Sequence, residues 1–308
     1  MRGSRIGIIC GGSGSSKFSL AFDQHAKDQE LCFVANVGDN FWRHGVYICP
    51  DVDILTYALA GKLDESKGWG VKDDTQAFLN AYSAFEGRHD WFNLGDADLA
   101  LNMRRTELLK SGMSLSEITT RFTRMLGIRH EIIPATDDSV QTYVRTTIGM
   151  LHLQEYWVRN RAVPPVCGVE YVGASQASAN ERALDILSGP VVIFPANPIT
   201  SIMPTLSLGG VRPKLKRARV LAISPFLKGK AFSGPAAQLM LGTGAEPSSY
   251  GVAKMYSNFL DTFLVDRDED GEIVKKIKAL GIECVRINIK ITAPRESRQL
   301  IREIVSAL

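Results

Sequence analysis

The chain has 308 residues, 45% of them hydrophobic and 22% charged, a balance that excludes disordered, collagenous and disulfide-scaffold proteins and leaves an enzyme-sized globule. Thirty-six Lys and Arg against 33 Asp and Glu give a net charge of +3, too little for a general nucleic-acid or membrane-surface binder, so an anion site must be local. No apolar run reaches the roughly 18 residues of a membrane helix.

In chain order, the β-branched run at 5–10 ends in Gly11-Gly12-Ser13-Gly14-Ser15-Ser16-Lys17, and Phe18, Leu20, Ala21 and Phe22 then open a helical pattern. This is a strand, a glycine loop and a helix. Residues 31–36 read as a second buried strand, and continuous apolar runs separated by helices point to a parallel sheet covered on both faces. Further strands are expected at 90–94, 191–195, 220–224, 262–265 and 283–289. Residues 99–126 are helix-rich, with Ser114 as N-cap before Glu117, and 131–134, 140–145, 150–154 and 170–172 read as an antiparallel extension. The expected architecture is α/β, a Rossmann-like core over 1–98 and 185–308 with a helical insert and β extension over 99–184.

Gly11, Gly12 and Gly14 let backbone pass close to a ligand, and a helix start favours phosphate, although the spacing matches neither common phosphate-loop fingerprint. Asp39, Asp51 and Asp53 fall within fifteen residues after the second strand, where carboxylates beside a phosphate site hold Mg²⁺. Asp51, following Pro50, reads equally as a helix N-cap. Asp96 and Asp98 either cap a helix or meet the same crevice. Asn197, Thr200 and Ser201 follow one strand, and Lys228 and Lys230 another. Of the five histidines only His44, inside the acidic block, is worth testing. Cys10, Cys32, Cys49, Cys167 and Cys284 lack zinc-site spacing and read as reduced, mostly buried thiols. The apolar run at 6–10 is too short for a signal-peptide core, which points to the cytoplasm.

Taken in order, the glycine loop, Asn36-Val-Gly-Asp39, Gly45-Val-Tyr-Ile-Cys-Pro50-Asp51-Val-Asp53, Gly68-Trp69-Gly70, Asp90-Trp-Phe-Asn93-Leu-Gly95-Asp96, Pro134-Ala-Thr-Asp137-Asp138, His152-Leu-Gln-Glu-Tyr-Trp157, Asn197-Pro-Ile-Thr200-Ser201-Ile and Ser233-Gly234-Pro235 resemble the 2-phospho-L-lactate transferase family over nearly the whole chain. The resemblance implies a Mg²⁺-dependent homodimer that makes coenzyme F-420. Its reaction moves a phospholactyl or phosphoenolpyruvyl group from a guanosine diphosphate adduct to the ribityl hydroxyl of the deazaflavin Fo, releasing GMP.

By that resemblance Gly11, Gly12, Ser13, Gly14, Lys17, Asn197, Thr200 and Ser201 hold the guanylyl donor, Asn36, Asp51 and Asp96 belong to the substrate site, and Asp53 and Asn93 contact Fo. Asp39 and Asp53 are the expected metal ligands and catalytic residues, and Asp53→Asn is expected to abolish transfer with little loss of fold. Ala97 departs from the family's usual arginine, removing a planar cation suited to a phosphate or carboxylate. Met203 stands where glycine is common, and Ile289-Lys290-Ile291-Thr292 where a Leu-Met-Thr pattern is usual. The alternative is a sugar-nucleotide-binding regulatory protein of the related gluconeogenesis-factor branch. An NAD-dependent oxidoreductase is disfavoured by the glycine spacing and by Asn36, rather than an acid, ending the second strand.

Overall fold

Seven parallel strands carry the core. β1 (Arg5–Cys10) pairs with β2 (Glu30–Ala35), Ile8 lying opposite Phe33. A hairpin of β3 (Phe41–Arg43) and β4 (Val46–Ile48) follows, then β5 (Glu131–Pro134), and a three-stranded antiparallel sheet of β6 (Gln141–Thr146), β7 (Gly149–His152) and β8 (Val166–Val172). The chain returns to the main sheet with β9 (Val191–Ile193) and β10 (Val220–Ile223). After a small hairpin of β11 (Phe226–Leu227) and β12 (Lys230–Ala231), it closes the sheet with β13 (Thr262–Asp266) and β14 (Glu283–Ile287). This computed structural model describes residues 5–87, 89–227, 229–231 and 234–308. Lys228 and Ser233, singled out in the sequence, lie outside the described residues.

The main sheet has the order β14-β13-β10-β9-β1-β2-β5 with every pair parallel. The α/β architecture expected from the buried apolar runs is therefore present: Ile6, Ile8, Ile9, Val34, Val192, Leu221 and Phe263 are all buried, as strands with both faces covered require. Phe18 and Phe22 of α1 (Gly12–His25) pack on Phe194 with ring centroids 5.6 and 5.0 Å apart. The chain leaves β1 for β2 on one side and later returns to β9 on the other, so the order reverses at β1. Ligands of open α/β sheets bind outside the carboxyl ends of strands at such a reversal.

Two expected elements differ. Residues 131–134 do not join the antiparallel extension. They form β5 at the edge of the main sheet, parallel to β2 with Ile132 opposite Phe33. Residues 90–94 are not a strand: the Asp90 carboxylate accepts the Phe92 N–H at 2.7 Å, and this side chain to backbone turn competes with extended pairing. The helix-rich segment is α4 (Asp96–Lys110) and α5 (Leu115–Met125). The expected Ser114 and Glu117 side chains form a reciprocal capping box on α5, a device worth about 1 kcal/mol. All five cysteines are free and only Cys167 is exposed. Among the described residues no helix is long and apolar enough to cross a membrane.

Candidate functional site

At the carboxyl end of β1 the glycine segment is not a loop, because Gly11 is the N-cap and Gly12 already begins α1. Gly11 is dictated by closeness: a Cβ there would lie 2.4 Å from Asp51 Oδ2 and 3.1 Å from Ser201 Cβ. Asn36, at the end of β2, ties the neighbours together by donating from Nδ2 to Asp51 Oδ2 at 2.9 Å and to the Thr200 carbonyl at 3.1 Å. Gly11, Gly12, Asn36, Asp51, Thr200 and Ser201, scattered over 190 positions in sequence, thus meet at one point. Asn197 caps its own short helical turn by accepting the Ile199 N–H at 3.0 Å, while its Nδ2 and the Thr200 hydroxyl are buried with no hydrogen-bond partner. Buried polar groups without partners are rare and costly; neither Asn197 nor Thr200 lines the two cavities described next.

Two cavities meet at Ser13, the residue after Gly12. The first, about 370 Å³, is lined by Gly12, Ser13, Asp39, Asp51, Asp53 and Asp98, and by apolar walls that include Ile54, Trp69, Phe92 and Trp157. The second, about 570 Å³, lies on the other side of Ser13 and includes Gly14, Lys17, Lys67, Lys230 and Lys290.

Asp51 sits in the first turn of α2 (Pro50–Leu59), whose N-cap is Cys49, so Asp51 is not the cap. Burial raises its carboxyl to about 6, opposed by the hydrogen bonds from Asn36 and from the Gly12 N–H. Asp39 is pushed well above the usual carboxylate range, by burial first and then by the charge of Asp51. Its Oδ2 accepts Gln154 Nε2 at 3.2 Å, but its Oδ1 is buried with no partner. Two buried carboxylates, one raised by the charge of the other and carrying an orphaned oxygen, suit a cation. Among the described residues no group of three or more His, Cys, Asp or Glu side chains is gathered to hold a metal. Mg²⁺ takes only one or two protein carboxylates and completes its shell with water and phosphate oxygens.

Asp53, expected as the other metal ligand, is committed elsewhere. Its carboxylate is paired in bidentate fashion with Arg105 of α4, Nη1 donating to Oδ2 at 3.0 Å and Nη2 to Oδ1. Both side chains are almost fully buried, Arg105 at 2% exposure. Arg105 Nη1 also donates to Asn102 Oδ1 and, at 3.4 Å, to the Tyr47 carbonyl. Burial raises the Asp53 carboxyl, and the guanidinium beside it works in the opposite direction. Sequence reading missed Arg105. Leu99, Asn102, Arg105 and Thr106 form the buried side of α4, so a signal existed: an arginine at helical spacing within an inward stripe is buried only when paired.

Asp98 also faces the first cavity. Tyr57 Oη donates to its Oδ1 at 2.6 Å, and burial, followed by the charge of Asp53, raises its carboxyl to about 6. Asp96 points away. Its carboxylate accepts the N–H groups of Ala77 and Phe78 at 2.9 and 3.0 Å, capping α3 (Ala77–Glu86). Asp74 returns the arrangement by accepting the N–H groups of Ala97 and Asp98 at 2.9 and 3.2 Å. Asp96 therefore holds two helix starts in register and does not line the cavity. Asn93 does line it, with its Oδ1 accepting Gln76 Nε2. Ala97 is exposed at the start of α4 and does not line the cavity. His44 lies in a separate cavity with Arg43, Tyr82 and Asp90, its Nε2 3.2 Å from Asp90 Oδ2.

Residues 6–305 match the family model for the 2-phospho-L-lactate transferase CofD. The chain is 35% identical over 305 residues to the 2-phospho-L-lactate transferase of Methanosarcina mazei, covering 97% of this chain and 99% of that one. It is 37% identical over 306 residues to that of Methanosarcina acetivorans, covering 97% of each. It is also 32% identical over 317 residues to the phosphoenolpyruvate transferase of Nocardia farcinica, covering 98% and 94%. Among solved structures, a UPF0052 family protein from Bacillus halodurans superposes with a TM-score of 0.66 over 98% of this chain and 99% of that one; at 14% identity this likeness concerns the fold. With the family model spanning nearly its full length and relatives above 30% identity end to end, the chain belongs to the 2-phospho-L-lactate transferase CofD family.

Proposed function

We propose that the protein transfers a phospholactyl or phosphoenolpyruvyl group from a guanosine diphosphate adduct to the primary ribityl hydroxyl of the deazaflavin Fo, releasing GMP. The observation that carries this reading is the meeting of two unlike cavities at Ser13: one aromatic and acidic, the other rich in lysine. A planar tricyclic acceptor fits between Trp69, Phe92 and Trp157, with Asn93 at the edge and carboxylates toward its hydroxyl-bearing chain. The polyanionic donor fits the first turn of α1 and the lysines, where backbone N–H groups and ammonium charge favour phosphate. The relatives' names include both a phospholactate and a phosphoenolpyruvate transferase, so both donors stay within the reading.

The hydroxyl oxygen attacks phosphorus as the bond from phosphorus to the GMP oxygen breaks. Positioning and electrostatics dominate such a displacement, and little covalent chemistry is asked of the protein. Asp53, fixed by Arg105, accepts a hydrogen bond from the hydroxyl and orients it. Asp98, with a carboxyl near 6, takes the proton as the new bond forms, because a base poised close to neutrality both holds its charge and accepts a proton readily. Asp39 and Asp51 would hold Mg²⁺, with Asp53 left to Arg105. The ion, when bound, supplies charge neutralisation on the phosphate oxygens.

The test is a titration of the purified protein with Fo followed by deazaflavin fluorescence, with and without Mg²⁺ and GDP, then product analysis with a guanylyl donor. Saturable Fo binding and a phosphorylated deazaflavin product are expected. Absence of Fo binding under all conditions sinks the reading.

A further inference from the structure

The loop between α2 and α3 borders both cavities at once. Ser66, Lys67 and Gly68 line the lysine-rich cleft, and Trp69 and Gly70, the next two residues, line the acidic one. Gly68 is the pivot: its backbone has φ +75°, a conformation that L side chains rarely adopt, and its Cβ position lies 3.6 Å from Ser13 Cβ, so the loop rests directly on the turn that divides the cavities.

The loop is built in advance. Its base is closed by backbone hydrogen bonds from Lys72 N to the Lys62 carbonyl at 2.8 Å and from Asp64 N to the Gly70 carbonyl at 3.0 Å, with Leu63 and Val71 bridged across it. Leu63 is buried against Tyr57 and Ala58 of α2, which anchors that base. At the tip Asp64 Oδ1 accepts Ser66 N at 3.1 Å and Ser66 Oγ at 2.6 Å, and the Asp64 carbonyl accepts Gly68 N at 2.8 Å. The two side chains at the tip are nonetheless available. Trp69 is 36% exposed. Lys67 pairs with Asp64 at 2.9 Å and is over half exposed, and an exposed pair of this kind contributes little and exchanges readily for a stronger anion. Its ammonium also lies 5.7 Å from the Trp69 ring, so the two groups share one edge of the loop.

We infer that this loop is a two-sided substrate reader: Trp69 stacks on the planar ring of the acceptor, Lys67 takes phosphate oxygens of the donor, and Gly68 seated over Ser13 fixes the separation between them. The inference rests on the function proposed above and adds to it the residues that set acceptor and donor affinity independently. A preformed loop suits this task because no ordering cost is charged against either substrate.

The test uses the full chain, with Fo binding followed by deazaflavin fluorescence and GDP binding by calorimetry. Trp69→Ala is expected to weaken Fo about tenfold, the scale of one lost aromatic stack, while GDP affinity stays within about twofold. Trp69→Phe should recover most of that loss. Lys67→Met is expected to weaken GDP about threefold at low salt, with the difference fading as salt screens the exposed charge and with Fo affinity unchanged. Melting temperatures of all variants should match wild type. If wild type binds both probes and neither Trp69→Ala nor Lys67→Met alters its partner affinity, the two-sided reader is overturned while the proposed function stands. If each single variant loses both ligands together, the loop is merely structural and the inference is equally overturned. A wild type that binds neither probe removes the function reading itself, and this inference with it.

Discussion

The cavity above Asp39 takes its walls from Trp69, Phe92 and Trp157 and its charge from carboxylates that are buried, whereas the cleft beyond Ser13 carries ammonium groups that reach into water. The difference matters for how charge is maintained. A buried carboxylate must be paired, hydrogen-bonded or held near its own pKa, and the first cavity uses all three solutions: Arg105 on Asp53, Asn36 on Asp51, and a carboxyl raised to about 6 on Asp98. An exposed lysine needs none of them. The ion-paired Asp53 of the acidic cavity therefore carries fold and chemistry together, while residues of the lysine cleft can be exchanged one at a time.

The sharpest break in this comparison is expected at the buried pair. Arg105→Met leaves Asp53 charged or forced to protonate in a dry site, and losing one partner of a buried ion pair costs about 3–5 kcal/mol. Urea unfolding measures this, and a midpoint equal to wild type would contradict the account. Asp53→Asn strands Arg105 in the same way, so the expectation from sequence that this substitution spares the fold is revised by the structure. Asp98→Asn should separate the two roles: the amide oxygen still accepts Tyr57 Oη, but the proton acceptor is gone. Turnover is expected to fall about 100-fold or more, with folding stability at pH 7 no lower than wild type.

The pH dependence adds a sign to that separation. Asp98 faces Tyr57, Asp53, Asp74 and Arg105, and its folded carboxyl near 6 lies above the ordinary 3.8. The native state thus binds the extra proton between these values, and by linkage the group's stabilising contribution is present below about pH 4 and is lost as pH rises through 6. Transfer needs the carboxylate, so turnover should move the other way, declining as pH drops through about 6. Thermal melts and rates measured between pH 4 and 8 should diverge in wild type, and the Asp98 contribution to both should vanish in Asp98→Asn. Parallel pH profiles for rate and stability would count against Asp98 as the base.

These contrasts also mark what the sequence made legible. Apolar runs at 5–10, 31–36, 191–195, 220–224, 262–265 and 283–289 announce the parallel sheet because strands buried on both faces have no polar alternation to confuse them. Gly11, Asn36 and Asp51 sit at strand or helix ends, where chain order itself brings them to the crevice. Asp90 misled because its aromatic and apolar neighbours resemble a strand, while the side chain to backbone bond that bends the segment leaves no periodic trace. Arg105 and the reciprocal caps of Asp74 and Asp96 act through partners 18 to 52 residues away, so no local pattern names the partner. The four lysines of the second cavity come from positions 17 to 290 and share no local pattern.

The smallest effect is expected in that cleft. Lys290 is exposed, so Lys290→Met leaves no buried charge behind and should change folding stability by less than about 0.5 kcal/mol. Its contribution to a phosphate-bearing ligand is one charge among several in high dielectric, where a contact is worth about 0.2–1 kcal/mol. GDP affinity is therefore expected to fall by about twofold at low salt, and the gap between variant and wild type should close as ionic strength is raised and the Debye length shortens. Calorimetric titrations at two salt concentrations decide this. A loss that is large and indifferent to salt would mean that Lys290 is desolvated on binding, and the lysine cleft would then belong with the acidic cavity as a built, low-dielectric site rather than an exposed field of charge.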